Sequence, residues 1–362
     1  MVKGNKKELR YGWTTGACAT AAASAAYRAL LTRTFPDPVK IILPQGQTPA
    51  FALAYAGLRA NGACAGVIKD AGDDPDVTHG ALIITDIRYA PLGSNISFLA
   101  GEGVGTVTRP GLPIPPGEPA INPAPRAMIC SAIRAIANEY NASTDIDIEI
   151  SIPGGREIAK KTWNPRLGIV GGLSILGTTG IVTPYSCSAW IHSIHRGIDV
   201  ARASHAPIIG AATGKTSEDA LLRAHPDLCS NIVDMGDFAG GMLKYLRRHP
   251  VPRLIIAGGF AKLTKLAQGH LDLHSARSQV DFTKLAMTAG MIGASSKTLD
   301  LIKSANTANE VLAYAQGEKI ELAGAIASAA RQIACKAASP AKIDISILVV
   351  DRKGNIIACA NA

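Results

Sequence analysis

The 362-residue sequence predicts an α+β domain over residues 1–160, followed by an α/β domain over 161–362 built on a doubly wound parallel sheet. Three observations carry that reading. At ~100–200 residues per domain, a chain of this length divides into two or three. Hydrophobic residues make up 47%, an ordinary globular share that excludes a disordered chain. The first half mixes strands and a few helices without regular order, whereas the second half alternates strand and helix.

The elements follow in order. Residues 17–31 are Ala-rich, without Gly or Pro, and predict a helix with a threonine N-cap at Thr14 or Thr15. Residues 39–43, 51–58, 81–87 and 95–99 predict strands, and 125–140 a helix. Residues 101–119 are broken by Gly and Pro into loop. IDIEISI at 146–152 alternates with the period of a half-buried strand. In the second half, strands at 207–212, 231–235 and 253–259 interleave with helices at 217–225, 238–248 and from 260 onward. That alternation is Rossmann-like. Helices are expected at 281–289, 307–315 and 320–338, and a closing hairpin at 343–350 and 356–360. The domain boundary is expected within 153–163.

Composition narrows the function. Lys plus Arg exceed Asp plus Glu by 37 to 28, a net charge of +9, which favours an anionic partner. Aromatics are only 5%, which argues against base stacking on nucleic acid. The 7 cysteines form no C-x-x-C pair, so no zinc ribbon is expected and a reducing compartment is. Lys3, Lys6, Lys7 and Arg10 imitate a signal-peptide head, but the segment after them is not Leu-rich. Residues 167–191 lack charge, yet their glycines and Pro184 read as buried turns and not as a membrane span. The expectation is a cytoplasmic protein with a small-molecule substrate, no nucleic-acid or membrane partner, and room for homo-oligomerisation.

Four constellations could carry chemistry. GGLSILGTTG at 171–180 combines permissive backbone with hydroxyls at Ser174, Thr178 and Thr179. GAATGKT at 210–216 nearly matches a phosphate loop, but its first glycine stands one residue too close, which excludes nucleoside triphosphatase chemistry. Asp70, Asp73, Asp74 and Asp76 crowd one turn, as a general acid or base or as ordinary turn formers. GEGVG at 101–105 precedes no obvious helix. The histidine pairs His192/His195 and His270/His274 have helical spacing but no third metal ligand nearby.

Taken together, LRYGWTTGACATAAASAA (9–26), KDAGDDPDVTHG (69–80), GEGVGTVTRPGLPIPPGEPAINPAPRAMI (101–129), NPRLGIVGGLSILGTTGIVTPYS (164–186), MGDFAGGML (235–243) and GGFAKLTKLAQGHLDLHS (258–275) resemble the cobalt-precorrin-5B C1-methyltransferase family of anaerobic cobalamin biosynthesis. The resemblance spans nearly the whole chain, with the segments in family order. It implies methyl transfer from S-adenosylmethionine to C-1 of a corrinoid, giving cobalt-precorrin-6A and S-adenosylhomocysteine. No protein-bound metal is expected, because the cobalt belongs to the substrate. A basic protein suits a macrocycle edged with carboxylates.

On these segments, physical inference assigns Asp70, Asp73, Asp74 and Glu102 as catalytic candidates should a proton have to move. Gly171, Gly172, Gly177, Thr178, Thr179, Gly180, Gly214, Gly258 and Gly259 are the donor-binding candidates, gathered at the carboxyl edge of the second sheet. Thr14, Thr15, Gly16, Gly101 and Gly103 are the substrate-binding candidates, with the corrinoid between the two halves and the first half as its side. The competing expectations are a nucleotide-dependent oxidoreductase, opposed by the missing G-x-G-x-x-G, and a non-enzymatic tetrapyrrole or nucleic-acid carrier.

Overall fold

A computed structural model describes residues 9–361. Lys3, Lys6 and Lys7 lie outside the described residues. The chain divides into two compact units between Cys187 and Ser188.

The first unit holds β1 (Gly12–Trp13), α1 (Thr15–Thr32), β2 (Val39–Lys40), β3 (Ala50–Phe51), β4 (Tyr55–Arg59), β5 (Gly62–Ile68), β6 (Leu82–Tyr89), β7 (Ile96–Ala100), β8 (Thr106–Val107), α2 (Pro123–Tyr140), β9 (Ile146–Ser151), α3 (Gly155–Ala159), β10 (Ile169–Val170) and β11 (Ile181–Val182). Its main sheet runs β4-β5-β6-β9-β7. The pairs are antiparallel except β9 with β7, and α2 makes the crossover that a parallel pair requires. In β9 the alternating sequence buries Ile146, Ile148 and Ile150 on one face.

Helix α1 is buried on every side from Thr15 to Tyr27. Alanine favours the helix and has no side-chain freedom to lose. Its small side chains let α1 lie close against β5, β6 and α2 at once. The polar groups that are buried with it are satisfied. Thr20 and Ser24 donate to Gly16 O and Thr20 O, each at 2.8 Å, and Tyr27 OH donates to Ser143 O at 2.6 Å.

The second unit holds α4 (Cys187–Ala203), β12 (Ile208–Ala212), α5 (Lys215–Ala224), β13 (Ile232–Asp234), α6 (Ala239–Leu246), β14 (Arg253–Gly259), α7 (Phe260–Ala267), α8 (Phe282–Met291), α9 (Ser296–Ser304), α10 (Ala308–Gly317), α11 (Leu322–Ala338), β15 (Asp344–Val350) and β16 (Ile356–Ala360). Its sheet runs β13-β12-β14-β15-β16. The first four strands are parallel, and β16 returns antiparallel to β15. Strands β14 and β15 are near-continuous apolar runs buried on both faces, as parallel strands covered by helices must be. The parallel strands fall in the spatial order 2-1-3-4, so the winding reverses between β12 and β14. This is the second common doubly wound order; the dinucleotide-binding order is 3-2-1-4-5-6.

Three expectations need correction. The boundary lies some way beyond 153–163. Residues up to Cys187 belong to the first unit, because β10 pairs with β8 and β11 with β1. Helices α4 and α9 were not expected from the sequence. In α4 a narrow stripe of Ile194, Ile198, Val200 and Ala201 supplies the buried face. The strand expected at 39–43 shortens to β2, and that at 51–58 splits into β3 and β4. Among the described residues no helix is long and apolar enough to cross a membrane.

Candidate functional site

In the first unit the segment 171–182 is threaded along the start of α1. Gly16 N donates to Leu176 O at 2.9 Å, Thr14 N to Gly180 O at 3.0 Å, and Leu176 N to Thr15 Oγ1 at 2.9 Å. Thr14 caps the helix by accepting from Ala17 N at 3.1 Å. Thr14 N, Gly16 N and the Thr14 and Thr15 hydroxyls therefore bond within the protein itself, and all three residues are buried.

The glycines of this region are set by close packing. A Cβ at Gly177 (φ 118°) would stand 2.5 Å from Thr14 Oγ1, and one at Gly172 2.7 Å from Val104 N. At Gly180 it would meet Leu43 Cδ2 at 2.5 Å, at Gly103 the Gly155 N at 2.9 Å, and at Gly101 the Glu149 Oε1 at 3.0 Å. Gly171 has open space around it. Thr178 is exposed, and Thr179 Oγ1 accepts from Ile181 N at 3.2 Å. Gly171, Gly172, Gly177, Thr178, Thr179 and Gly180 thus lie in the first unit, whereas Gly214, Gly258 and Gly259 lie in the second.

The acidic turn closes against the same region. Trp13 N donates to Asp70 O at 2.7 Å, Arg10 N to Asp73 Oδ2 at 2.8 Å, and Tyr185 N to Asp74 Oδ1 at 2.8 Å. The Arg10 guanidinium grips Asp70 with both Nη atoms. That contact, with the Gly72 N–H, holds the Asp70 carboxyl down at about 2. Burial raises the Asp76 carboxyl, but the buried Lys69 ammonium at 2.7 Å and the Thr78 donors outweigh it and leave it lowered. Asp70, Asp73 and Asp74 therefore act as clamps between three segments. Glu102 is exposed, and its carbonyl accepts from Ile152 N at 2.7 Å. Beside the clamps an open groove of about 400 Å³ is lined by Tyr11, Trp13, Gln45, Thr179, Ile181 and Thr183.

The second unit carries its own cleft, of about 360 Å³, at the carboxyl edge of the sheet where the winding reverses. The turn after β12 supplies Thr213, Gly214, Lys215, Thr216 and Ser217; the start of α7 supplies Gly259, Phe260 and Lys262; the β15–β16 turn supplies Asp351 and Arg352. Of the expected donor residues, Gly214 and Gly259 line this cleft, while Gly258 is buried beside it with Leu263 and Thr213 near its Cα. Lys262 was missed by sequence reasoning. Its signal was a charge in the first turn of a helix that follows a glycine-ended strand.

His192 and His195 share α4, with ring centroids 6.2 Å apart. His195 stacks on Tyr245 with centroids 3.9 Å apart, and Tyr245 on His249 at 4.2 Å. Burial lowers His195, and burial with the Asp199 contact pushes Tyr245 up to about 12. His270 and His274 lie beyond the end of α7, so they share no helix face. Among the described residues no group of three or more His, Cys, Asp or Glu is placed to hold a metal ion.

A mixed α/β chain with a polar cleft at the switch point of a parallel sheet has the architecture of a small-molecule enzyme. The CbiD family matches residues 2–184, and the CbiD C-terminal domain matches 272–361. The chain belongs to the CbiD family. Cobalt-precorrin-5B C(1)-methyltransferases of Brucella canis and Brucella suis are each 62% identical to it over 355 residues, covering 98% of this chain and 96% of theirs. The crystal structure of the cobalamin biosynthesis protein of Archaeoglobus fulgidus is 29% identical and covers 74% of this chain and 83% of its own, with a TM-score of 0.41.

Proposed function

We infer that this chain transfers a methyl group from S-adenosylmethionine to C-1 of cobalt-precorrin-5B. The observation that carries this is the 62% identity over 355 residues to relatives named for that reaction. In the transfer, C-1 supplies an electron pair to the methyl carbon as the carbon–sulfur bond breaks. That bond's electrons stay on sulfur, leaving a neutral thioether. Such a displacement depends on alignment and exclusion of water more than on a strong acid or base.

The cleft of the second unit is the proposed donor site. Its position at the switch point supports this, as does the chemistry of its lining. Thr213, Thr216 and Ser217 offer hydroxyls to a ribose, Lys215 and Arg352 offer positive charge to an amino-acid carboxylate, and Gly214 and Gly259 leave the backbone open to approach. In the first unit, the groove of Tyr11, Trp13 and Ile181 is the proposed resting place for an apolar edge of the macrocycle, with Gln45, Thr179 and Thr183 toward its carboxylate arms. Glu102 is the proposed proton acceptor; Asp70 and Asp73 hold the segment that carries Tyr11 and Trp13, and Asp74 holds Tyr185.

The test incubates the protein with cobalt-precorrin-5B and methyl-labelled donor. Equal amounts of S-adenosylhomocysteine and a product one methyl heavier are expected. A folded protein that transfers no label overturns the reading.

A further inference from the structure

Two segments of the second unit, 235–243 and 258–275, interlock around two lysines. Gly240 N donates to Leu271 O at 2.7 Å, and Leu273 N to Asp237 O at 2.9 Å. A Cβ on Gly240 would stand 2.8 Å from Leu271 Cβ, so the approach admits only glycine. The buried Lys265 donates to Leu273 O at 2.9 Å, which ties the far end of α7 into the same loop.

Lys262 stands at the near end. It sits in the first turn of α7, directly after β14, and lines the cleft. Its ammonium donates to Thr213 O at 2.8 Å and lies 3.0 Å from Asp237 Oδ1. Thr213 follows β12, Asp237 follows β13 and Lys262 follows β14. One side chain thus joins the ends of the three strands between which the winding reverses. Asp237 is 22% exposed and Lys262 37%, so the pair is shielded enough to hold a fixed geometry while it borders the open space. Lys215 pairs within its own helix, with Glu218 at 3.4 Å and Asp219 at 2.8 Å.

We propose that Lys262 is the positioning residue of the methyl-donor cleft: by holding the Thr213 carbonyl and the Asp237 carboxylate, it fixes the spacing of the β12, β13 and β14 loops that receive the donor. The proposal rests on the reading of this cleft as the donor site. It assigns Lys262 an effect on donor affinity that a purely structural lysine would not have. Loss of a charge-assisted bond that sets a site's geometry corresponds to about a tenfold loss in affinity.

The experiment is calorimetric titration of the full chain with S-adenosylhomocysteine, alongside donor KM and kcat. Lys262→Met is expected to raise the Kd and donor KM about tenfold or more, a larger factor than any fall in kcat at saturating donor. Lys262→Arg, which keeps the charge and the reach, is expected to recover most of the affinity. Lys262→Met combined with Asp237→Asn is expected to bind no more weakly than Lys262→Met, because the two act through one contact. The double variant leaves no lone buried carboxylate and carries the test if Lys262→Met does not fold. Thr216→Trp fills the exposed lip of the cleft and checks its occupant. Wild-type affinity in the folded Lys262 variants, with binding lost in Thr216→Trp, overturns the role of Lys262 and leaves the cleft as the donor site. Wild-type affinity in Thr216→Trp overturns the placement of the donor itself.

Discussion

Replacing Gly177 by alanine should destabilise the first unit without touching donor affinity per folded molecule. Gly177 has φ 118°, a backbone conformation that costs an L-residue ~1–3 kcal/mol. Its added Cβ would also stand 2.5 Å from Thr14 Oγ1, which caps α1. Relieving that overlap must move a capping side chain at the head of a helix buried from Thr15 to Tyr27, a cost of about 1–3 kcal/mol. The sum is about 2–6 kcal/mol, a large part of the ~5–15 kcal/mol that holds a typical domain. Gly171 is the matched control, because it has φ 91° but nothing within 4 Å of a new Cβ, so Gly171→Ala bears the backbone cost alone. The assay is urea unfolding followed by tryptophan emission in a Trp190→Phe background, so that Trp13 and Trp163 of the first unit report. Gly177→Ala is expected to unfold about 1–3 kcal/mol more easily than Gly171→Ala. Equal losses in the two variants would refute the packing argument. A folded Gly177→Ala protein with weakened S-adenosylhomocysteine binding would return the residue to the donor site.

Three further outcomes follow from the same geometry. The Asp70 carboxyl lies below its usual 3.8, at about 2, so its contribution to stability is fully present above pH 3.8 and is lost as pH falls through about 2. Asp70→Asn should therefore melt lower than wild type at pH 5, and acid melts should show the gap closing below pH 4. Ala22 in the middle of α1 is 0% exposed, and Ala22→Leu should cost ~1–3 kcal/mol of unfolding free energy in the same urea assay. Glu102→Gln should keep the wild-type melting temperature and donor affinity while single-turnover methylation falls at least ~100-fold; Asp73→Asn, which loses a clamp on Arg10 N, should melt early and methylate normally per folded molecule.

Local physics made much of the fold legible. The alternation at 146–152 became β9, the alanine run with Thr14 before it became α1, and the strand–helix alternation after residue 207 became a parallel sheet. What stayed hidden depends on contacts distant in sequence. β1, β8, β10 and β11 are two residues long, too short for any period, yet their pairing puts 164–187 in the first unit. The strand order and the antiparallel edge β16 are likewise pairing choices that alternation cannot specify. The same limit applied to the site. A glycine needed for ligand approach and one needed for packing look alike in sequence; only the Thr14 side chain against Gly177 separates them. The aspartates were found by their density, but their partners Arg10 and Tyr185 lie 60 and 111 residues from Asp70 and Asp74. Lys262 and Asp237 were passed over because each alone is an ordinary charge near a helix start.

Carbon-13 NMR of the product shows which ring carbon has received the methyl group. With S-adenosylmethionine labelled in its methyl carbon and cobalt-precorrin-5B as acceptor, a single new methyl resonance coupled to C-1 is expected, with label and S-adenosylhomocysteine appearing together. A labelled methyl on any other carbon, or on nitrogen or oxygen, would contradict the account.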